Sequence, residues 1–313
     1  MAGEGVVKVQ CAVFLAICCS AADGAMTSAQ PGFLLMAEQK SGSIVVVDAR
    51  KAGAPEWSWE WNAKKDPGLS RKDAGMFYAP SDCKLSRDGD TVLVMASGGN
   101  FAEVSLATGR AITCGRIGGN PHSITRLPGK MVYATASSVS HAVTVVDASG
   151  SPLNPDLQAK RKFPLYSAHG VEWDEKRSCL WALGGTNLVK FSWNEAQFDL
   201  KAERSFGFLK DGSIGGHDLT PDGKGGYFLT TGRHLLRFDP DRGTFAVVKK
   251  QSDIKAFSPD PVWGDAYTIV RQTWWTDRII VVKDGVERII GPYPGTKIYK
   301  ARWMLPSWKS EGM

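Results

Sequence analysis

The sequence of 313 residues lacks most features of nucleic-acid-binding and membrane-spanning proteins. Its Lys and Arg residues are scattered, with no run longer than the three at 160–162, so we expect no surface that follows a phosphate backbone. No apolar run beyond residue 25 is long enough to span a bilayer. The Gly-x-Ser-x-Gly nucleophile turn, the His-Glu-x-x-His metal motif and the phosphate-binding loop are also absent. The sequence therefore has no signature of these three kinds of enzyme chemistry.

The N-terminal segment 1–25 has the pattern of a cleavable signal peptide. Lys8 precedes an apolar run at 11–22 that is too short to span a bilayer, and small residues follow up to Ala25. We therefore expect an exported protein, periplasmic or secreted, whose mature chain of residues 26–313 is a single domain.

Cysteine is scarce in the expected mature chain. Of the 6 Cys, only Cys83, Cys114 and Cys179 lie beyond the signal peptide. Three cysteines are too few for a disulfide-rich scaffold, and an odd number cannot all pair within the chain. One bridge at most can form, and the sequence leaves open whether Cys83 pairs with Cys114 or Cys179.

Turn-forming and aromatic residues are abundant instead. The sequence contains 34 Gly, 16 Pro and 11 Trp, which favour short strands separated by turns. No apolar pattern of about 3.6 residues persists over three helical turns, so helices should be few. These features predict an all-β protein.

A repeated segment organises the chain. Each copy opens a short strand, and the opening residues are Cys83, His122, His169, His217, Lys255 and Lys300. Successive opening residues lie between 38 and 48 residues apart, close to the length of one four-stranded propeller blade. Six copies predict a six-bladed β-propeller.

The two ends of the chain are predicted to share one blade. Three strand-like runs at 33–37, 43–47 and 56–61 have no opening segment, whereas the segment at Lys300 leaves no room for three further strands. Pairing these parts closes the ring and removes the open sheet edges.

The innermost strands of a propeller line its channel, so the opening residues should form a ring at one mouth. His122, His169 and His217, three of the 5 His, occupy this position in adjacent blades. Neutral imidazoles around a cavity suit a divalent metal ion such as Mn, Zn, Fe or Ni, with Asp82 or Cys83 as a further ligand. The alternative is that these histidines only hydrogen-bond to the backbone and to one another.

Two lysines complete the predicted ring opposite the histidines. Lys255 and Lys300 form a cationic wall, and a lysine whose pKa is lowered by burial and by neighbouring cations is a candidate catalytic base. Tyr78, in the loop before the second blade, is a third candidate. The alternative is that both lysines pair with nearby carboxylates.

The turns between the second and third strands of each blade should face the same mouth. They carry amide, imidazole, guanidinium and indole groups, which suit the hydroxyl groups and apolar faces of sugars. The predicted substrate-binding residues are Asn100, His141, Asn187, Arg233, His234, Arg271, Gln272, Trp274 and Trp275.

The strands His122-Ser-Ile, His169-Gly-Val and His217-Asp-Leu, with Pro80-Ser-Asp-Cys83, resemble a group of exported bacterial β-propeller proteins of unknown function, often encoded beside carbohydrate-degradation genes. The arrangement is also similar to the oligogalacturonate lyases, seven-bladed propellers with a channel-mouth metal ion held largely by histidines. This similarity implies that His122, His169 and His217 bind a metal ion.

Together these features favour a metal-dependent carbohydrate-active enzyme, a lyase that acts on acidic oligosaccharides. Two other classes stay open. A six-bladed hydrolase or lactonase would hold Ca²⁺ through Asp, Asn and Glu oxygens. A non-enzymatic propeller that binds carbohydrate or protein would need only the aromatic and amide turns. We expect a monomer with no nucleic-acid partner and no membrane span.

Overall fold

The chain forms six four-stranded antiparallel sheets around a central channel. The computed structural model describes residues 26, 28–51, 56–208, 214–270 and 273–305, so the predicted signal peptide lies outside the described residues. Within these ranges the helical elements are the short helix α1 (Arg71–Gly75) and two 3₁₀ turns, Ala63–Lys65 and Pro155–Leu157. The fold is a six-bladed β-propeller, as the repeat predicts.

The first blade combines both ends of the chain. From the channel outwards its strands are β24 (Ile298–Trp303), β1 (Phe33–Glu38), β2 (Ser43–Asp48) and β3 (Trp59–Asn62). Strand β24 pairs antiparallel with β1, with Ala301 opposite Met36. This pairing confirms the predicted closure and covers the inner edge of β1.

The other five blades follow one another along the chain, and each runs from the channel outwards in sequence order. Blade two contains β4 (Pro80–Leu85), β5 (Thr91–Ala96), β6 (Asn100–Ser105) and β7 (Arg110–Arg116). Blade three contains β8 (Pro121–Arg126), β9 (Val132–Ser137), β10 (Ala142–Asp147) and β11 (Ala159–Pro164). Blade four contains β12 (Gly170–Asp174), β13 (Cys179–Leu183), β14 (Asn187–Asn194) and β15 (Asp199–Gly207). Blade five contains β16 (Asp218–Pro221), β17 (Tyr227–Thr230), β18 (His234–Asp239) and β19 (Thr244–Lys250), and blade six contains β20 (Ile254–Ser258), β21 (Asp265–Ile269), β22 (Ile279–Lys283) and β23 (Val286–Ile290).

The hydrophobic core lies between neighbouring blades. Each of the six interfaces holds one cluster of buried apolar side chains, such as Ala134 and Val145 of blade three packed against Leu180 and Ala182 of blade four. Inner strands are covered on both faces, so every residue of β4 is buried, whereas all but one residue of the outermost strand β11 are exposed. Burial of these apolar faces stabilises the ring.

The cysteines form no bridge in this ring. Cys83, Cys114 and Cys179 are buried free thiols. The part of the chain that the structure describes contains no helix that is long and apolar enough to cross a membrane.

Candidate functional site

One residue from each blade lies at the end of the channel where the innermost strands begin, which we call the upper mouth. We call these residues the mouth ring: Tyr299, Ser81, His122, His169, His217 and Lys255. In four blades the mouth-ring residue is the extra residue of a β-bulge in the innermost strand. In the other two, His169 and His217 lie directly before β12 and β16. A bulge redirects a side chain, which explains this shared placement.

Two of the predicted ring positions are wrong. Ser81 and Tyr299 occupy the positions expected for Cys83 and Lys300. The prediction aligned the turns that follow the strands, but Asp88 lies seven positions after Ser81, whereas Asp260 lies five positions after Lys255. In the same way Leu305 lies six positions after Tyr299, whereas Leu127 lies five positions after His122. The mouth-ring residue therefore has the same place in every blade, whereas the number of residues between it and the following turn varies.

Five mouth-ring side chains contact one another in a closed circuit. Nζ of Lys255 lies 3.3 Å from Nδ1 of His217, whose ring meets that of His169 edge-on at 5.4 Å between centroids. The rings of His169 and His122 stack at 4.6 Å. Oη of Tyr299 lies 3.3 Å from Nδ1 of His122, and its ring lies 4.7 Å from Nζ of Lys255, which closes the circuit.

Burial lowers the pKa of every basic group in this circuit. It lowers the pKa of His122 and His217 well below the usual range, with further lowering by neighbouring basic side chains. Burial also lowers the pKa of His169 to about 4, and burial together with the charge of Lys300 lowers the pKa of Lys255 to about 7. At neutral pH the three imidazoles are therefore uncharged, and Lys255 is close to half protonated.

The tautomer of His169 follows from its hydrogen bond. Its Nδ1 lies 2.8 Å from the carbonyl oxygen of Ser167, which can only accept, so Nδ1–H donates. In the neutral ring the remaining nitrogen, Nε2, then carries a lone pair. His169 is only partly buried, so it can present this acceptor to a ligand at the upper mouth.

A cluster of ionic side chains fills the channel below the mouth ring. We call it the ion layer, and it consists of Lys84, Lys300, Arg302, Asp82, Asp218 and Glu172. Lys300 lies 3.0 Å from Asp218 and Lys84 lies 2.7 Å from Glu172, while Arg302 contacts both aspartates. Its three cations balance its three carboxylates. Because Lys300 is fully buried in these pairs, it cannot act as the predicted base on a substrate.

The predicted metal ligands do not fit a shared metal ion. A metal ion bonds to imidazole nitrogen in the ring plane at about 2.0–2.1 Å, and the planes of His122 and His169 are parallel within 1°, so no single point lies in both. Asp82 is bound by Arg302 and Lys300, and burial raises the pKa of the Cys83 thiol, which packs among apolar side chains. Among the described residues, no group of three or more His, Cys, Asp or Glu side chains can hold a metal ion.

The predicted substrate-binding residues are divided between the mouth and the blades. Trp274 lies at the upper mouth, where Nζ of Lys255 is 5.4 Å from its ring, and Trp275 packs on Lys297 at 4.2 Å. Asn100 is fully buried and donates its amide to the carbonyl oxygen of Asp73, so it is not available to a ligand.

The other predicted residues that the structure describes lie in, or directly after, turns between the second and third strands of their blades. His141 stacks on Tyr166 with 5.1 Å between ring centroids, and the amide of Asn187 donates to Ser205 at 2.7 Å. Arg233 is exposed and His234 is partly buried. Arg271 and Gln272 lie outside the described residues.

Exposed aromatic side chains surround the upper mouth at alternate blades. Tyr78 precedes blade two, Tyr166 precedes blade four and Trp274 follows β21 of blade six. They are 59%, 63% and 66% exposed, respectively. Their spacing gives the mouth three apolar faces around a polar centre.

Comparison with known proteins agrees with this architecture. Residues 9–310 match a family of unknown function, DUF6528, so the chain belongs to that family. No curated protein matches the chain. Among solved structures, the chain is similar to the β-propeller domain of Cps50 (Swd1) from Myceliophteria thermophila, with 13% identity, a TM-score of 0.55 and coverage of 86% of this chain and 85% of that one. It is also similar to a chain of a nidogen/laminin complex, with 15% identity, a TM-score of 0.59 and coverage of 88% and 99%. These two likenesses concern the fold alone.

Proposed function

We propose that the upper mouth binds the carboxylate of an acidic carbohydrate and that the protein is a carbohydrate-active lyase. The proposal rests on the burial of Lys255 without a paired carboxylate. Its side chain is buried, and no carboxylate among the described residues pairs with it, since Asp218 below it is held by Lys300 and Arg302. A buried ammonium group is unfavourable without a counter-ion, and a ligand carboxylate would supply one.

The surroundings of Lys255 favour a carbohydrate over a small inorganic anion. The exposed rings of Tyr78, Tyr166 and Trp274 offer flat apolar faces of the kind that sugar rings stack on. The neutral imidazoles beside Lys255 offer hydrogen-bond donors and acceptors for hydroxyl groups. An acidic oligosaccharide combines all three requirements.

The reaction class that these groups support is β-elimination. The Lys255 ammonium group pairs with the uronate carboxylate and so acidifies the proton on C5, and Nε2 of His169 accepts that proton. A C4=C5 double bond forms as the C4–O bond breaks, and the leaving oxygen takes a proton from solvent. This assignment makes Lys255 the carboxylate-binding group and His169 the base, and no step passes through a metal ion.

The test is a panel of polyuronates, with binding measured by calorimetry and turnover by the ultraviolet absorbance of the unsaturated product. Lys255→Met should abolish binding and turnover. His169→Ala should keep binding and lower turnover about 100-fold or more. Lys162→Met, on the exposed outer strand β11, is the matched control and should resemble the unaltered protein. No binding of any polyuronate, or an equal loss in both lysine variants, would contradict the proposal.

A binding protein without catalysis is the second candidate. It is favoured by the Nδ1 atoms of the three histidines, all of which already contact protein groups: Tyr299, Ser167 and Lys255. Binding without turnover, together with an inert His169→Ala variant, would assign this role. The calcium-dependent hydrolase has least support, because the mouth ring contains no carboxylate. Export of the protein stays a prediction.

A further inference from the structure

A second cavity lies at the opposite end of the channel, where the innermost strands end. We call it the lower funnel, and its volume is about 1300 Å³. Its floor receives one residue from each blade: Arg302, Lys84, Thr125, Glu172, Thr220 and Ser258. The ion layer lies between this floor and the mouth ring, and its buried ion pairs fill the channel there. A ligand in the lower funnel therefore cannot touch Lys255 or the histidines.

The floor of the lower funnel presents buried polar groups with unused hydrogen-bonding capacity. Glu172 is 5% exposed, and its Oε2 binds Lys84, but its Oε1 has no hydrogen-bond partner among the described residues. The hydroxyl of Thr125, which is 7% exposed, has no partner there either. Oγ of Ser258 accepts from the backbone N–H of Trp303, which leaves its own proton free to donate. Acceptors and donors therefore face the cavity together and are available to a ligand that replaces water there.

The floor offers no uncompensated charge. Lys84 pairs with Glu172 at 2.7 Å, and Arg302 contacts Asp218 and Asp82 at 2.5 and 2.9 Å. A charged ligand would therefore find no free counter-ion at the floor, and its desolvation would go uncompensated. The polar groups suit a neutral ligand with hydroxyl groups.

The walls of the lower funnel carry aromatic side chains, together with charged ones such as Lys224 and Asp265. Trp173, Trp263, Trp303 and Phe228 line it, and two of the indole N–H groups are already used, by Glu175 and by the carbonyl oxygen of Gly264. Trp173, Trp263 and Phe228 are partly exposed and offer apolar ring surface, whereas Trp303 and Leu219 are buried behind them. A molecule with apolar faces and a hydroxylated edge is complementary to these walls.

We propose that the lower funnel is a second binding site, one that takes a neutral sugar. The polar floor binds the hydroxyl groups and the aromatic walls cover the apolar faces of the sugar ring. The site uses no mouth-ring residue, so it is independent of the function proposed for the upper mouth.

The test measures binding of glucose, galactose, xylose, cellobiose and lactose to the whole chain by calorimetry and by saturation-transfer NMR. Thr125→Val preserves the shape of the side chain and should weaken binding about three- to tenfold, because it removes one hydrogen bond. Glu172→Gln, which keeps an acceptor but alters the pair with Lys84, should also weaken it. Thr108→Val, in the exposed β6–β7 turn, is the matched control and should leave the affinity unchanged.

A Lys255→Met variant locates the bound sugar. Unchanged affinity in Lys255→Met together with weakened affinity in Thr125→Val supports the lower funnel. Loss of binding in Lys255→Met with no effect of Thr125→Val would place the sugar at the upper mouth and overturn the proposal. Absence of binding to all five sugars at millimolar concentration would also overturn it. None of these outcomes depends on whether the upper mouth binds a polyuronate.

Discussion

Burying the ammonium group of Lys255 is energetically unfavourable, and the same group is the one proposed to bind the ligand carboxylate at the upper mouth. Its ammonium group is removed from water by Tyr299, His217 and the ion layer, and the nearest charged groups are the cation Lys300 and the already paired Asp218. Such an arrangement weakens proton binding in the free protein. Perturbed groups of this kind are common in functional sites.

This lysine gives the upper mouth a pH dependence. Burial lowers the pKa of Lys255 to about 7, so it is protonated below that pH and loses its charge above it. The histidines facing it are already neutral at that pH, and uronate carboxylates stay ionised. We expect a uronate to bind with constant affinity below about pH 6 and about tenfold more weakly at pH 8, measured by calorimetry.

The Lys255→Arg variant is the control for this dependence. The guanidinium group stays protonated across the range, so its binding curve should be flat between pH 6 and pH 8 whatever its absolute affinity. If the unaltered protein gives an equally flat curve, the assignment of Lys255 as the carboxylate-binding group is wrong.

The innermost strands are joined by the ion layer as well as by packing. Asp218 of β16 binds Lys300 and Arg302 of β24, so it connects blade five to blade one. Asp218→Asn leaves two buried cations with Asp82 as their main counter-ion. We expect the free energy of unfolding to fall by about 3–5 kcal/mol, measured by urea denaturation.

Asp241→Asn is the matched control for the ion layer. Asp241 pairs with Arg177 at 2.8 Å, but its side chain is 76% exposed and screened by solvent, so the loss should be much smaller than that of Asp218→Asn. A similar decrease in the free energy of unfolding for both variants would show that the buried ion layer stabilises the fold no more than an exposed ion pair does.

At the scale of the strands, the sequence predicts the repeat but not its local register. The alternation of strands and turns can be predicted from the sequence. The mouth-ring positions of the three histidines and Lys255 can be predicted as well, because a buried apolar residue follows each of them two positions later. Ser81 and Tyr299 precede Cys83 and Ala301 in the same way, but neither their chemical type nor the turns that follow reveal it. A β-bulge depends on pairing with a neighbouring strand, and this pairing has no local sequence signature.

The orientation of the side chains at the mouth is equally hidden from the sequence. The repeat brings His122 and His169 together, as predicted, but stacking makes their ring planes parallel rather than convergent. Ring orientation is decided by neighbours such as Tyr299 and the carbonyl oxygen of Ser167, which belong to other blades or to loops. The lower funnel could not be predicted from the sequence either, because its floor is formed by residues from six separate strands that only the folded ring brings together.

For the whole molecule, closure of the first blade is the decisive contact. A chain that ends at residue 297 lacks β24 and exposes the inner edge of β1, whose residues are all buried in the complete ring. We expect this chain to be insoluble or aggregated, because an open apolar edge pairs with other chains. Soluble yield and size-exclusion chromatography measure the outcome.

A chain that ends at Leu305 is the control for closure, because it retains every described strand. It should remain soluble, with the far-ultraviolet circular dichroism of the complete chain. A soluble, folded monomer that ends at residue 297 would show that the five remaining blades and β1–β3 hold together without β24.

The shared blade also imposes an order on biosynthesis. Strands β1–β3 are the first of the described strands to leave the ribosome, and β24 follows them more than 230 residues later. At about 5–20 residues per second, this interval lasts on the order of ten seconds or more. During that time the nascent chain carries an unsatisfied apolar strand edge, so a chaperone that shields it until β24 emerges would protect the polypeptide from self-association.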